Sequence, residues 1–325
     1  MRACAGDRMT VAVVGAGIAG AACARALTGA GHPVRLFDRG RVAGGRLASR
    51  WIEGRYVDLG ASYLTARDPE FSALVADWVA RGVARPWTDT FQVATSHALG
   101  ESKTGPMRYG AANGLRSLVE DLLDGLPIAQ EQEVTAVGLG PGGPTIDGIA
   151  YDAVVLAMPD PQALLVLDPA LVGERAAIQD RVWQPVLALA AGWAARTWDQ
   201  HFDGCFVNDS DVLGWIADDG RRRGDDAAVL VAHSTSSFAA GQLADPAAAG
   251  RELLAATQRV LGLTEAPQWS QVHRWSLARP DGPREELFYL GDTQVGLCGD
   301  GWGASKVEAA WLSGTGLGRT LAARL

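Results

Sequence analysis

Lysine is nearly missing: Lys103 and Lys306 are the only two among 29 basic residues. Arginine usage in a GC-rich genome accounts for this most simply. Cysteine is equally sparse. Cys4, Cys23, Cys205 and Cys298 form no CxxC pair and no metal-like spacing, which excludes a disulfide framework and points to reduced thiols in a cytoplasmic setting. The five histidines, His32, His97, His201, His233 and His273, give no HxxxH pair and no His–carboxylate set, so no metal site is expected. The longest apolar run, VLALAAGWAA at 186–195, is too short to span a bilayer, and the N-terminus lacks an apolar leader core, so neither membrane anchoring nor export is expected. A net charge of -8 with no compensating basic stripe argues against a nucleic-acid partner. GxSxG and Walker loops, internal repeats and low-complexity linkers are also absent.

What is present begins at Thr10; the core pattern starts there, and Met9 is an alternative start. TVAVV at 10–14, GAGIAG, the small-residue pattern AACARALTGAG and VRLFD at 34–38 form a β-turn-α-β unit. Gly15 permits the tight turn, Gly17 admits a pyrophosphate to the backbone, Gly20 allows helix and sheet to approach, and Asp38 can accept from ribose hydroxyls. Ile18 and Ala19 open the helix whose free N–H groups face the phosphates, and Arg39 follows the acid. At this point NAD and FAD both remain open.

Further along, PEFSALVADWVARG (69–82) has helical spacing behind a proline. Strands are expected at EVTAVGL (133–139), YDAVVLAMP (151–159), VLALAAGW, AAVLVAHS and VGLCGD (295–300), with a last helix from near Ala304. DDGRRRGDD (218–226) reads as a solvated hairpin tip. The fold class expected is α/β: a Rossmann-like dinucleotide domain over 9–75, 107–160 and 286–325, carrying an inserted α+β substrate domain over 76–106 and 161–285.

Gly44, Gly45 and Arg46 in RVAGGR bring a second backbone approach and a cation toward the same pyrophosphate. This resembles the GG motif of the FAD-dependent amine-oxidase superfamily (glutathione-reductase/amine-oxidase type), and FAD is then the expected cofactor. In that superfamily a late Gly-Asp returns to the flavin, a part that Gly299 and Asp300 fit in LCGDGWGASK. More specifically, GGRLASR, VDLGASYLTARDPEF, VVLAMPDPQ, VLVAHSTSSF, VHRWSLARP and GLCGDGW occur in the order found in renalases, and the chain is similar to them over nearly its whole length.

The resemblance implies noncovalent FAD held by Gly15, Gly17, Ile18, Ala19, Gly20, Asp38, Arg39, Gly44, Gly45, Arg46, Gly60, Ala61, Ser62, Val134, Gly299, Asp300 and Ser305. It implies Tyr63, His233, Trp275 and Trp302 as candidate catalytic residues on the substrate side. The activity implied is oxidation of isomeric dihydro-NAD(P), the 2- or 6-dihydro forms, with dioxygen as electron acceptor and hydrogen peroxide released. Many flavin amine oxidases use a central lysine; none lies between Lys103 and Lys306, which disfavours that arrangement. Alternatives are an amine oxidase or desaturase acting on a small specialised metabolite, and a non-catalytic flavin-binding protein. The turn after Asp38 departs from amine oxidases, with Gly40 where an arginine often stands.

Overall fold

A computed structural model describes residues 10–325. Cys4 and Met9 lie outside the described residues. The chain divides into two compact units: Met1–Gly45, Val119–Trp183 and Arg279–Leu325 form one, Arg46–Leu118 and Gln184–Ala278 the other.

The first unit is built on a six-stranded sheet in the order Tyr289–Leu290, Val295–Leu297, Ala153–Leu156, Val11–Val14, Val34–Phe37, Ile128–Ala129. All neighbours are parallel except Tyr289–Leu290, which runs antiparallel to Val295–Leu297. Val11–Val14 and Ala153–Leu156 are buried at every position, as strands covered on both faces must be. Val11–Val14 lies inside the sheet with Val34–Phe37 on one side and Ala153–Leu156 on the other. The connection leaving Val11–Val14 runs through Ile18–Gly29 to Val34–Phe37 on one side, while the sheet strands that follow Ala153–Leu156 lie on the other, so the carboxyl ends of this central pair form the switch point where open α/β sheets bind ligands.

The helix Ile18–Gly29 packs on the last helix, Val307–Ala322, through small residues. A Cβ at Gly314 would lie 2.0 Å from the Ala19 carbonyl oxygen, so the two backbones meet where no larger side chain fits. That helix starts at Val307 rather than near Ala304, because residues 299–306 form a turn. Of EVTAVGL only the end is strand, Val137–Gly140; ahead of it the Thr135 and Ala136 N–H groups donate to the Asp147 carboxylate instead of to a neighbouring strand.

The second unit holds a seven-stranded sheet in the order Trp269–Pro280, Trp183–Gly192, Val229–Ser234, Leu213–Asp218, Gly204–Val207, Arg85–Ala94, Leu99–Gly110. One face, with Leu187, Leu189, Ala191, Leu230 and Ala232, is covered by the helix Pro246–Leu261 through Ala249, Leu253, Ala256 and Val260. Alternate residues Ala188, Ala190, Val229 and Val231 pack on the other face against Ile52, Val57 and Leu59 of the Ser49–Ile52/Arg55–Asp58 hairpin. That packing groups 46–75 and 107–118 with the second unit, whereas the sequence reading set them in the cofactor domain. Residues 161–183 join the first unit, since Ala163, Leu167, Leu171 and Ile178 pack on Val154 and Leu156.

Candidate functional site

In the first unit the site begins with backbone that excludes side chains. Gly15 has φ +107°, and a Cβ at Gly20 would lie 1.9 Å from the Gly15 carbonyl oxygen. Ile18 and Ala19 are buried in the first helical turn, and Gly17 at the N-cap places no side chain over the N–H groups there. Gly44 (φ +123°) donates its N–H to the Ala16 carbonyl at 2.9 Å, while a Cβ at Gly45 would stand 3.4 Å from the Gly17 Cα. The two glycine turns thus face each other with bare backbone. An anion can approach N–H groups there without meeting a side chain.

Asp38 ties these turns together. One carboxylate oxygen accepts the Ala16 N–H and the other the Gly40 N–H, both at 2.7 Å. Each oxygen keeps a lone pair with which a hydroxyl can bond. Gly40 has a local reason: a Cβ there would lie 2.9 Å from the Asp38 carboxylate. Arg39 is exposed, and the Val134 side chain is buried in the core with Phe37 and Val137, so Val134 presents main chain only.

The late turn closes the set. The Gly299 N–H donates to Ser313 Oγ at 2.9 Å, the Trp302 N–H to the Gly299 carbonyl at 3.1 Å, and Ser305 Oγ to the Asp300 carboxylate at 2.9 Å. Ser305 thus orients Asp300. Trp302 is buried, with the Arg284 guanidinium 4.3 Å over its ring and Tyr289 stacked at 6.4 Å. Arg284 also pairs with Asp160 at 3.0 Å; burial raises the Asp160 carboxyl, and Arg284 works against that rise.

In the second unit, a Cβ at Gly60 would meet the Arg46 carbonyl at 2.0 Å, and that carbonyl accepts the Ala61 N–H at 2.8 Å. Arg46 donates to the Ala278 carbonyl at 3.3 Å. The stretch Gly60–Tyr63 is held by a buried ionic network. Arg222 donates to the Ser62 carbonyl at 2.8 Å and the Asp58 carbonyl at 3.1 Å, and Arg223 pairs with the Asp58 carboxylate at 3.0 Å. DDGRRRGDD is therefore no solvated tip: Asp218, Asp219, Arg222 and Arg223 are buried. The guanidiniums of Arg222, Arg223 and Arg55 surround Asp219; burial alone would raise its carboxyl, and they hold it well below the usual range. Alternating charge looked like a solvated face because the partners of three of these groups, Arg55, Asp58 and Ser62, lie some 160 residues away.

Tyr63 sits among rings that the sequence reading did not single out. Its centroid is 6.4 Å from Trp87, 5.4 Å from Phe91 and 5.9 Å from Trp215. Arg108, buried, lies 4.1 Å over Phe91 and 5.9 Å over Tyr63. Burial raises the Tyr63 hydroxyl and the Arg108 guanidinium pulls the other way, the net being a rise, so Tyr63 is a neutral phenol near neutral pH. His233, half-buried, stands opposite Trp215 on one side and Ala188 on the other, on the same sheet face. Trp275 donates its indole N–H to the Leu59 carbonyl at 2.7 Å and packs with the Ile52–Leu59 cluster. Trp275 thereby braces the start of the Gly60–Tyr63 stretch. The register of two consecutive strands, Leu213–Asp218 and Val229–Ser234, sets Trp215 beside His233, which the sequence pattern alone does not fix.

Burial pushes the thiol of Cys23 well up and those of Cys205 and Cys298 up to about 12. Among the described residues no three His, Cys, Asp or Glu side chains form a group that can hold a metal ion. Nor is any helix among them long and apolar enough to cross a membrane.

A sheet with a glycine cradle at its switch point and a second sheet presenting rings define a two-unit dinucleotide-dependent oxidoreductase. Residues 13–78 match the NAD(P)-binding Rossmann-like domain family, and residues 88–315 match the family of flavin containing amine oxidoreductases. The chain belongs to the flavin containing amine oxidoreductases and is a flavin-dependent oxidoreductase. Among solved structures, cyclohexylamine oxidase from Brevibacterium oxydans IH-35A superposes with TM-score 0.80 at 13% identity, covering 98% of this chain and 99% of that one. A protein from Exiguobacterium sp. 255-15 assigned as a protoporphyrinogen oxidase gives 0.79 at 12%, covering 99% and 100%. A putrescine oxidase gives 0.77 at 16%, covering 97% and 99%. At such identities the likeness is one of fold.

Proposed function

We propose that this enzyme is a renalase-like oxidase, binding FAD noncovalently and oxidising isomeric dihydro-NAD(P) to NAD(P)+ in the cytoplasm. The observation that carries the reading is the surroundings of Tyr63: rings and N–H donors, with no lysine anywhere between Lys103 and Lys306. A dihydronicotinamide carries its own hydride and needs stacking and alignment more than a base.

The residues present fit the cofactor. The bare backbone of Gly15, Gly17, Gly20, Gly44 and Gly45 suits a pyrophosphate, Asp38 a ribose, and Asp300, oriented by Ser305, a polyhydroxyl chain. The high thiols of the three described cysteines support noncovalent binding. A bound FAD would supply a hydride acceptor and a two-electron path to dioxygen, so that dihydro-NAD(P), dioxygen and a proton would give NAD(P)+ and hydrogen peroxide.

The protein's part is alignment. The cofactor falls chiefly to the first unit and the substrate to the second. Tyr63 offers a protonated hydroxyl and a ring face, His233 shares its sheet face with Trp215, and Trp275 holds the Leu59 carbonyl. Arg222 fixes the Asp58 and Ser62 carbonyls, which sets the path of the stretch that carries Tyr63. Trp302, under Arg284, gives a rigid edge beside Asp300.

The test is an anaerobic absorption spectrum before and after adding partly isomerised NADH, with ordinary NADH as control. Bleaching by the isomer fraction alone, reversed by air with peroxide release, is expected. Family membership favours a second reading, oxidation of a small amine or desaturation of a specialised metabolite. Bleaching by an amine and not by the isomers would establish that reading instead. A flavin reduced by no donor at all would point to a binding protein without turnover.

A further inference from the structure

The rings around Tyr63 enclose three buried donors that lack an acceptor. Trp87 stands 5.2 Å from Phe91, Phe91 4.7 Å from Trp215, and Trp215 4.6 Å from Phe206, so the five aromatic residues form one continuous cluster. Within it the buried indole N–H groups of Trp87 and Trp215 and the buried Nε of Arg108 have no hydrogen-bond partner. Arg108 donates one Nη to the Asp89 carbonyl and also bonds the Tyr63 hydroxyl, but no carboxylate pairs with it among the described residues. Only 9% of Arg108 is exposed, and no carboxylate neutralises its charge.

Buried donors left without acceptors, beside an uncompensated cation, disfavour the folded protein by itself. The arrangement gains when an acceptor arrives. An ammonium ion supplies none: it brings a second positive charge and more donors against Arg108. A flat ring bearing a carbonyl or carboxylate oxygen supplies what is missing, its faces lying against Tyr63, Phe91 and Trp215 and its oxygen accepting from Arg108 and the indoles.

We infer that the Tyr63–Trp87–Phe91–Trp215 cluster with Arg108 recognises a planar ring carrying a carboxamide or carboxylate, and that it selects such substrates against aliphatic amines. This deepens the reading of the enzyme as a dihydronicotinamide oxidase and rests on it for the identity of the site.

Nicotinamide, nicotinate and cyclohexylamine are titrated into the FAD-loaded protein by equilibrium dialysis, with the wild type beside Arg108→Gln, Trp215→Phe and Trp87→Phe. The phenylalanine variants keep a ring and lose only the N–H. Nicotinamide or nicotinate should bind the wild type, with cyclohexylamine far weaker. Arg108→Gln should weaken the acceptor ligand roughly tenfold or more, and Trp215→Phe about three- to tenfold, flavin content being unchanged. A larger loss for nicotinate than for nicotinamide on Arg108→Gln identifies the anion as the preferred form; equal losses identify the neutral carbonyl.

Cyclohexylamine binding as tightly as either acid derivative would overturn the inference. So would unchanged affinities in Trp215→Phe and Trp87→Phe, even where Arg108→Gln fails to fold. The two levels separate on turnover of isomerised NADH. Oxidation of the isomers with affinities indifferent to Arg108 and both indoles removes the recognition and leaves the oxidase. Arg108-dependent nicotinamide binding without isomer oxidation does the reverse.

Discussion

At Gly20 a single hydrogen atom separates a working cradle from a blocked one. A Cβ there would sit 1.9 Å from a main-chain oxygen that cannot swing aside, since Gly15 is itself pinned by its N–H bond to the Phe37 carbonyl. Gly20→Ala should therefore displace the turn, cost about 1–3 kcal/mol of stability, and yield protein purified with substantially less flavin. Flavin absorbance per protein after gel filtration reads it, and full occupancy would show that the turn tolerates a methyl group. Such glycines were legible in the sequence because their spacing records a backbone requirement. Asp38 was legible as well, but not its clamp on Ala16 and Gly40, which also explains why glycine follows it. Arg108 was invisible: in PMRYG it looks like any arginine on a strand, and its role depends on rings from three other stretches of chain.

The short helix Asp219–Arg223 shows the same limit at the scale of an element. Alternating signs in a glycine-bounded stretch give no hint of direction, and the pattern became a buried network because Asp219 pairs with Arg222 and Arg223 within the stretch while Arg55, Asp58 and Ser62 reach it from elsewhere in the chain. Replacing Arg222 with methionine keeps much of the volume but leaves Asp219 short of one cation and frees the Asp58 and Ser62 carbonyls. Breaking one member of such a set should cost about 3–5 kcal/mol, visible as a lower urea midpoint. A smaller loss of bulk stability with an altered KM would instead assign Arg222 mainly to positioning Tyr63.

The edge strand Trp269–Pro280 supplies a pH response. His273 meets the Trp275 ring edge-on at 4.4 Å, and burial first, then Arg50 and Arg274, push its imidazole down to about 4. In the unfolded chain it titrates near 6.5. Between these values the unfolded state holds more protons, so stability should fall as pH drops from about 6.5 and level off near 4. His273→Gln should flatten that part of a melting-temperature profile. An unchanged slope would place the acid sensitivity in the carboxylates, of which Asp219 is the most strongly depressed.

For the whole molecule, the alternation of strand and helix made the core of the first sheet foreseeable, whereas of the second only Trp183–Gly192 and Val229–Ser234 were expected, and the limits of the two units followed packing that no local pattern contains: Leu59 and Val57 belong with Ala188 and Val231 across more than a hundred residues. The proposed cofactor residues run from Gly15 to Ser305, so flavin occupancy couples distant parts of the chain. A ligand that binds only the folded protein stabilises it by mass action, about 2.7 kcal/mol when free ligand is a hundredfold above its dissociation constant. For units of this size such a gain is worth roughly 5–11 °C in melting temperature. Stripping the flavin should lower the midpoint by that order, and adding FAD back should restore it in proportion to the logarithm of its concentration. Asp300→Ala should shrink the increment if that carboxylate holds the cofactor as proposed, and Ser305, already exposed, needs no replacement partner. A midpoint indifferent to FAD in the wild type would mean that the glycine cradle contributes no binding energy, and the assignment of Asp38 and Asp300 to the cofactor would fall with it.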